Sequence, residues 1–126
     1  MRDILFKAKA INSGEWVESM TISNGTTKMK RDRVYMELSE GMCVGVIPET
    51  VGQFTGLTDK NGVKIFEGDI CKDSGDKLMV VSWNQKFASF CLNREGWAFS
   101  HWFGESCDPE NVEVIGDIHN NPELLK

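Results

Sequence analysis

Three carboxylates near the middle of the chain, Asp59, Glu67 and Asp69, have the residue types and spacing for chemistry. Paired carboxylates act as general acids and bases or bind divalent cations. The same residues also suit local structure, because Asp59 can accept backbone N–H groups of its turn and Asp69 can cap a bend. The chain contains no nucleophile or cofactor motif to pair with them. We therefore predict that the protein is not an enzyme, and we rank catalysis third among the hypotheses.

Metal sites and redox-active thiols are recognised in a sequence by closely spaced cysteine and histidine residues. In this chain those residues are far apart. No two of these residues form the close pair that zinc sites and redox motifs use. The residues in question are Cys43, Cys71, Cys91, Cys107, His101 and His119. We predict free thiols, no metal site and no cofactor.

One basic cluster has the composition of a nucleic-acid contact. It comprises Lys28, Lys30, Arg31 and Arg33, and Asp32 interrupts it. The net charge of −5 opposes binding to a polyanion, and so short a cluster gives only modest, salt-sensitive affinity. Small β-barrels nevertheless bind nucleic acids through loops and exposed aromatic side chains. A nucleic-acid-binding module that uses the basic loop 28–33 is therefore the alternative hypothesis.

Acidic and aromatic residues in the last third of the chain suggest a surface for a protein partner. No Lys or Arg lies between Arg94 and Lys126, whereas acidic residues accumulate there. In the strand pattern of residues 97–103 the two tryptophans fall on opposite faces. Either both faces are buried against other layers of the protein, or one face is exposed and its tryptophan forms a binding patch. The candidate partner surface comprises Trp97, Trp102, Asp117 and Glu123.

The basic cluster and the acidic C-terminal third also bear on assembly. Opposed charges of this kind favour self-association or docking on a basic partner. The same composition also fits an acidic face and a basic loop that are both simply exposed to solvent. We expect a homo-oligomer.

Composition places the chain among ordinary globular proteins. Its 126 residues suit one domain, and 40% hydrophobic with 26% charged residues is typical of a soluble protein. No apolar run approaches the ~20 residues that span a bilayer, and the N-terminus lacks the apolar core of a signal peptide. We expect no membrane association and a cytoplasmic location.

Period-two alternation dominates the chain and predicts the strands that position these residues. Residues 4–10 and 16–20 predict a β-hairpin, and in the later turn at 58–62 either Asn61 or Gly62 supplies a positive φ.

Short strands separated by turns predict a mainly β fold. An N-terminal β-hairpin subdomain, residues 1–50, is expected to pack on an SH3-like small β-barrel or meander, residues 51–126.

Three segments of the chain resemble the landmarks of one family. They are the opening MRDILFKAKA, the central GQFTGLTDKNG…IFEGDI and the closing VIGDIHNNPELL. These segments resemble the YopX family, which comprises small proteins carried by bacteriophages and prophages. Residues 23–49 match no landmark. The resemblance implies a single YopX-like domain of phage or prophage origin in a bacterial host, and it implies no particular biochemical activity.

Taken together, the residues and the resemblance predict a non-enzymatic accessory protein that acts as a protein-interaction module. Its partner is expected to be a host or phage protein, in addition to further copies of itself. Binding of nucleic acid is the alternative.

Overall fold

Strands make up most of the structure, a computed structural model that describes residues 3–24, 34–39, 41–86, 88–93, 101–102 and 108–125. The prediction of a mainly β fold is confirmed. The strands are β1 (Phe6–Lys9), β2 (Trp16–Ser19), β3 (Ser23–Asn24), β4 (Val34–Ser39), β5 (Met42–Val46), β6 (Gly52–Thr58), β7 (Lys64–Phe66), β8 (Asp69–Lys72), β9 (Leu78–Asn84), β10 (Ser89–Asn93), β11 (His101–Trp102) and β12 (Glu113–Asp117).

Helical structure in the described ranges is confined to short 3₁₀ turns at Pro48–Thr50, Pro109–Asn111 and Pro122–Leu125. Each turn begins at a proline, whose fixed φ and missing N–H suit a first helical position. Among the described residues there is no helix with the length and hydropathy of a bilayer span.

The chain divides into two compact units, which we call the N-terminal unit (residues 1–54) and the C-terminal unit (residues 55–126). The boundary falls inside β6, whereas the sequence prediction placed it after residue 50. A single domain stays a prediction.

The N-terminal unit begins with the predicted hairpin, in which β1 pairs antiparallel with β2 from Phe6↔Ser19 to Lys9↔Trp16. The other side of β1 meets the start of β6 and, near its end, the last residues of β5. The N–H of Ile11 donates to the carbonyl of Gly45 at 2.9 Å, which holds the second of these contacts.

A second sheet in the N-terminal unit is linked to β1 by the isolated bridge Ala10↔Val46 and to the end of β2 by side-chain hydrogen bonds. β5 pairs with β4, and β4 pairs with β3. The chain between β2 and β3 then bonds β4 through side chains, because the Ser19 hydroxyl donates to the carbonyl of Glu37 at 2.7 Å. The core of this unit consists of Ala8, Met36 and Val46.

The C-terminal unit contains an antiparallel sheet with strand order β11-β10-β9-β8-β12. Consecutive neighbours from β8 to β11 confirm the predicted meander, whereas SH3-like closure of this half stays a prediction. In the turn before β7, Gly62 rather than Asn61 adopts the positive φ, +79°. The core of the unit consists of Ile65, Cys71, Met79, Val81, Leu92 and Val112.

Candidate functional site

Asp59, the first of the candidate carboxylates, is only 5% exposed and binds backbone on both of its oxygens. Oδ1 accepts the N–H groups of Asn61 at 2.8 Å and Val63 at 2.9 Å, which closes the turn. Oδ2 accepts the N–H of Val114 in β12 at 2.9 Å. The predicted turn role is confirmed, and the carboxylate also ties the turn to a strand 55 residues away.

The electrostatic environment of Asp59 keeps the carboxylate charged. Burial acts to raise its pKa, but the N–H donors stabilise the charged form and the nearby Lys60 charge adds to them. The pKa therefore lies below its ordinary value of 3.8. A charged carboxylate whose two oxygens serve structural bonds is a poor proton donor at neutral pH.

The other two candidate carboxylates lie at the turn between β7 and β8. Asp69 is buried, and its Oδ2 accepts the N–H of Phe66 at 2.8 Å, which confirms the predicted bend cap. Glu67 is half-buried on the same turn. Among the described residues, no three His, Cys, Asp or Glu side chains converge in a group that could hold a metal ion.

The closing segment forms a compact turn around Asp117. Its Oδ1 accepts the N–H groups of His119 at 2.9 Å and Asn120 at 2.8 Å. Asp117 is 8% exposed, so this carboxylate belongs to the interior of the turn. This corrects its placement on the candidate partner surface.

A close approach behind this turn explains the glycine that precedes Asp117. A Cβ on Gly116 would lie 2.6 Å from Oδ1 of Asn121, inside any normal contact distance. That Oδ1 accepts the N–H of Asp117 at 3.3 Å. A side chain at position 116 would therefore displace Asn121 from the turn.

The central and closing landmark segments interlock within the C-terminal unit. Besides the bond from Val114 to Asp59, the N–H of Lys60 donates to the carbonyl of Val112 at 3.1 Å. The N–H of Ile118 donates to the carbonyl of Gly68 at 3.0 Å. These backbone bonds, with those of Asp59, hold the two landmark segments together.

The remaining predicted site residues lie at the margin of the structure or outside it. Glu123 is exposed in the last 3₁₀ turn. Trp102 contributes backbone to β11, opposite Cys91, and its side chain is outside the described part. Also outside the described residues are Trp97, Lys28, Lys30, Arg31 and Arg33.

The predicted free thiols are confirmed where the structure describes them. Cys71 and Cys91 are buried, and Cys43 is exposed in β5. Cys107 lies outside the described residues.

An open groove in the N-terminal unit was not predicted from the sequence. We call it the Met20 groove. It has a volume of about 510 Å³. It is lined by Leu5, Glu18, Ser19, Met20, Thr21, Glu37, Leu38 and Ser39. Met20 is 72% exposed and Leu38 is 39% exposed, so apolar side chains face solvent here.

Hydroxyl groups hold the two sides of the Met20 groove together. The buried Ser19 hydroxyl donates to Glu37 and accepts the N–H of Thr21 at 3.0 Å. The Thr21 hydroxyl in turn accepts the N–H of Glu37 at 3.3 Å. Met20, between these two hydroxyl residues, is directed outward. The only sequence signal was a methionine between Ser and Thr, which is too common to predict a site.

The outer face of the β1–β2 hairpin carries a second feature, a tryptophan beside two lysines. Nζ of Lys7 lies 4.6 Å from the ring centroid of Trp16, and Nζ of Lys9 lies 5.6 Å from it. Both distances are within the range of cation–π attraction. Glu18 lies opposite Lys7 in the register and therefore shares this face, so the face carries charges of both signs beside the aromatic ring.

Comparisons with known proteins agree on the family and the fold. The family model described as YopX protein matches residues 5–126. The crystal structure of protein EF1440 from Enterococcus faecalis is similar to this one, with a TM-score of 0.58 and 23% identity over 100% of each chain. At that identity the likeness concerns the fold alone. No curated protein matches the chain in sequence. Because the family match covers nearly the whole chain, this chain belongs to the YopX family.

Proposed function

We propose that this protein is a non-enzymatic interaction module of phage or prophage origin that acts in the bacterial cytoplasm. It binds a segment of a host or phage protein in the Met20 groove. The observation that carries this proposal is the pair of exposed apolar side chains, Met20 and Leu38, at a groove with the volume of a ligand pocket. Methionine adapts to differently shaped apolar partners, which suits such a site.

The charges of the Met20 groove define the chemistry of the partner. Among the described residues, the charged side chains that line it are those of Glu18 and Glu37. A bound segment would place an apolar side chain against Met20 and Leu38 and a basic side chain beside a carboxylate. The partner is therefore a peptide segment in which Lys or Arg adjoins a large apolar residue.

The hydrogen bonding of the landmark carboxylates supports a binding role over an enzymatic one. Asp59 and Asp69 are buried and accept backbone N–H groups. These bonds serve the fold of the C-terminal unit, which supports a structural role for both carboxylates.

Selection of short random peptides on the immobilised protein tests this proposal directly. We expect enriched peptides to share an apolar residue beside Lys or Arg. Replacing both Met20→Ser and Leu38→Ser should weaken their binding about tenfold or more, because the apolar anchor loses its contact surface. Val63→Ser is the matched control, since Val63 is 48% exposed in the C-terminal unit.

Charge reversal makes the test sharper. The double variant Glu18→Lys with Glu37→Lys should select peptides with acidic rather than basic neighbours. Peptides without the apolar–basic pattern, or equal losses for Val63→Ser and the groove variant, would overturn the proposal.

Nucleic-acid binding is the second candidate, favoured by the Lys7–Trp16–Lys9 arrangement. Aromatic rings beside lysines bind single strands by stacking and phosphate contact. Replacing the cluster Lys28, Lys30, Arg31 and Arg33 with glutamine should then weaken binding and flatten its salt dependence. If the parent protein does not shift a single-stranded oligonucleotide at low salt, this candidate is excluded.

We also propose that the protein self-associates. This proposal is supported by the opposite charges of the basic cluster, residues 28–33, and the acidic C-terminal third, which would attract each other between two copies.

A further inference from the structure

The first three residues of β5, Met42–Val44, have a strand neighbour on one side only among the described residues. We call their open side the β5 edge. β4 pairs with the opposite side of β5. On the β5-edge side, β1 reaches only the end of the strand, through the bond from Ile11 to Gly45 and the bridge Ala10↔Val46. The backbone N–H and C=O groups on the β5 edge are therefore not covered by β1, because β1 contacts only the later residues of β5.

The register shows which backbone groups the β5 edge presents. Cys43 lies opposite Glu37, and both backbone polar atoms of Glu37 bond away from β5, to Ser19 and Thr21. This pair is therefore a non-hydrogen-bonded one. The N–H and C=O of Cys43 consequently point outward, toward the open side of the strand.

The β5 edge carries no charged residue and no proline to prevent strand addition. Natural edge strands carry lysine, inward-pointing charges or proline to block pairing. The residues of β5, MCVGV, include none of these. Met42 is 57% exposed, and Cys43 is exposed beside it. An uncharged, exposed edge of this kind is a template for another strand.

We propose that the β5 edge pairs antiparallel with the same edge of a second copy, with Cys43 on the two-fold axis. This inference rests on the self-association proposed above and names its surface. A two-fold interface sets one patch against itself, so a charge near the axis would face its like. The β5 edge has no charge. A second copy is therefore a compatible occupant.

The outward groups of Cys43 determine the geometry at the axis. Cys43 and the partner's Cys43 exchange both backbone hydrogen bonds, and Met42 lies opposite the partner's Val44. In such a pair the Cα atoms are about 5.5 Å apart, a separation that a disulfide can bridge.

Oxidative cross-linking of the full chain tests this arrangement. All proteins carry Cys107→Ser, which leaves Cys43 as the exposed thiol beside the buried Cys71 and Cys91. Copper phenanthroline accepts the electrons of two thiols as they form one disulfide. We expect a covalent dimer on a non-reducing gel and its loss in Cys43→Ser.

Light scattering provides the second measurement, because it does not depend on thiol chemistry. Cys43→Glu places like charges at the axis and should raise the dimer dissociation constant about tenfold or more. Cys43→Ser should keep the mass of two chains, as should Asn12→Glu, a charge added at an exposed turn.

The outcomes separate the two proposals. A protein with the mass of one chain at all concentrations overturns both self-association and the pairing of the β5 edge. A dimer that neither cross-links at Cys43 nor responds to Cys43→Glu overturns the edge pairing and leaves self-association through another surface. The Met20 groove is tested independently by peptide selection.

Discussion

The two units of this protein stabilise their chain connections with different side chains. The C-terminal unit uses buried carboxylates, which accept backbone N–H groups within their turns and, at Asp59, from β12. The N-terminal unit uses hydroxyls, with Ser19 and Thr21 bonding β4 and Thr50 accepting the N–H of Lys9 at 2.8 Å. The stability of the C-terminal unit therefore depends on charge, whereas that of the N-terminal unit depends on neutral hydrogen bonds.

Both units leave apolar side chains exposed, and in the C-terminal unit these include Val63, Trp83 and Ile118. The N-terminal unit presents the Met20 groove and the β5 edge, with Met20, Leu38 and Met42 facing solvent. The landmark segments of the C-terminal unit bond to one another. We propose the N-terminal unit for partner binding because the Met20 groove lies there. Leu38 and Met42 lie in the region 23–49 that matched no landmark, whereas Met20 precedes it.

The largest effect should come from Asp59→Ala. It leaves the N–H groups of Asn61, Val63 and Val114 without their acceptor. We expect the free energy of unfolding in urea to fall by about 3 kcal/mol. Asp59→Asn should cost less, because it keeps one carbonyl acceptor. A change within about 0.5 kcal/mol, the range of neutral surface substitutions, would contradict the role assigned to this carboxylate.

The second-largest effect should be a loss of stability of the C-terminal unit at acidic pH. Because the folded-state pKa of Asp59 lies below its ordinary value of 3.8, its stabilisation is fully present above the unfolded-state pKa. It is lost as the pH falls through the folded-state pKa. Unfolding free energies measured from pH 7 down to pH 3 should decline below about pH 4, near the ordinary Asp pKa. The Asp59→Asn variant should decline less, and parallel curves for the two proteins would argue against this coupling.

Gly116→Ala tests the close approach in the closing turn. The added methyl would meet Oδ1 of Asn121 at 2.6 Å, so the side chain must move and lose its bond to Asp117. We expect a loss of about 2 kcal/mol in urea unfolding. In an Asn121→Ala background the same substitution should cost less, since part of the obstruction is gone. Equal costs in both backgrounds would rule out this contact as the cause.

The smallest effect should come from Ser19→Ala in the N-terminal unit. It removes the bond to the carbonyl of Glu37, with an expected loss of about 1 kcal/mol. Because no charge is involved, the loss should be equal at pH 7 and at pH 3.5, unlike the change at Asp59. Cys43→Ser, at an exposed position, serves as a neutral control. A pH-dependent loss would contradict the distinction between the two units.

Local features of the fold were predictable because neighbouring residues determine them. The hairpin of β1 and β2 follows from alternation, and the roles of Asp59 and Asp69 follow from the preference of Asp for turn N–H groups. Asp117 was misassigned because charge alone predicted exposure. In the structure Asp117 is buried in its turn, where it accepts the N–H groups of His119 and Asn120. The run Asp-Ile-His-Asn does not by itself predict these bonds.

The Met20 groove was not predictable for a different reason. Its two sides meet through Ser19 and Glu37, which are 18 residues apart in the sequence. Period-two alternation assigns side chains to faces, but it does not say where two strands separate and leave those faces uncovered.

By itself, the sequence determined the mainly β character, the positions of most turns, the local caps and the separation of basic and acidic segments. These properties depend on backbone preference and on composition, which act over a few residues. Only the tertiary structure decided that Asp59 bonds Val114, that β1 meets the end of β5, and that Met20 and the β5 edge remain exposed. Such outcomes depend on which distant segments pack together, because burial and hydrogen-bond satisfaction are properties of the assembled chain.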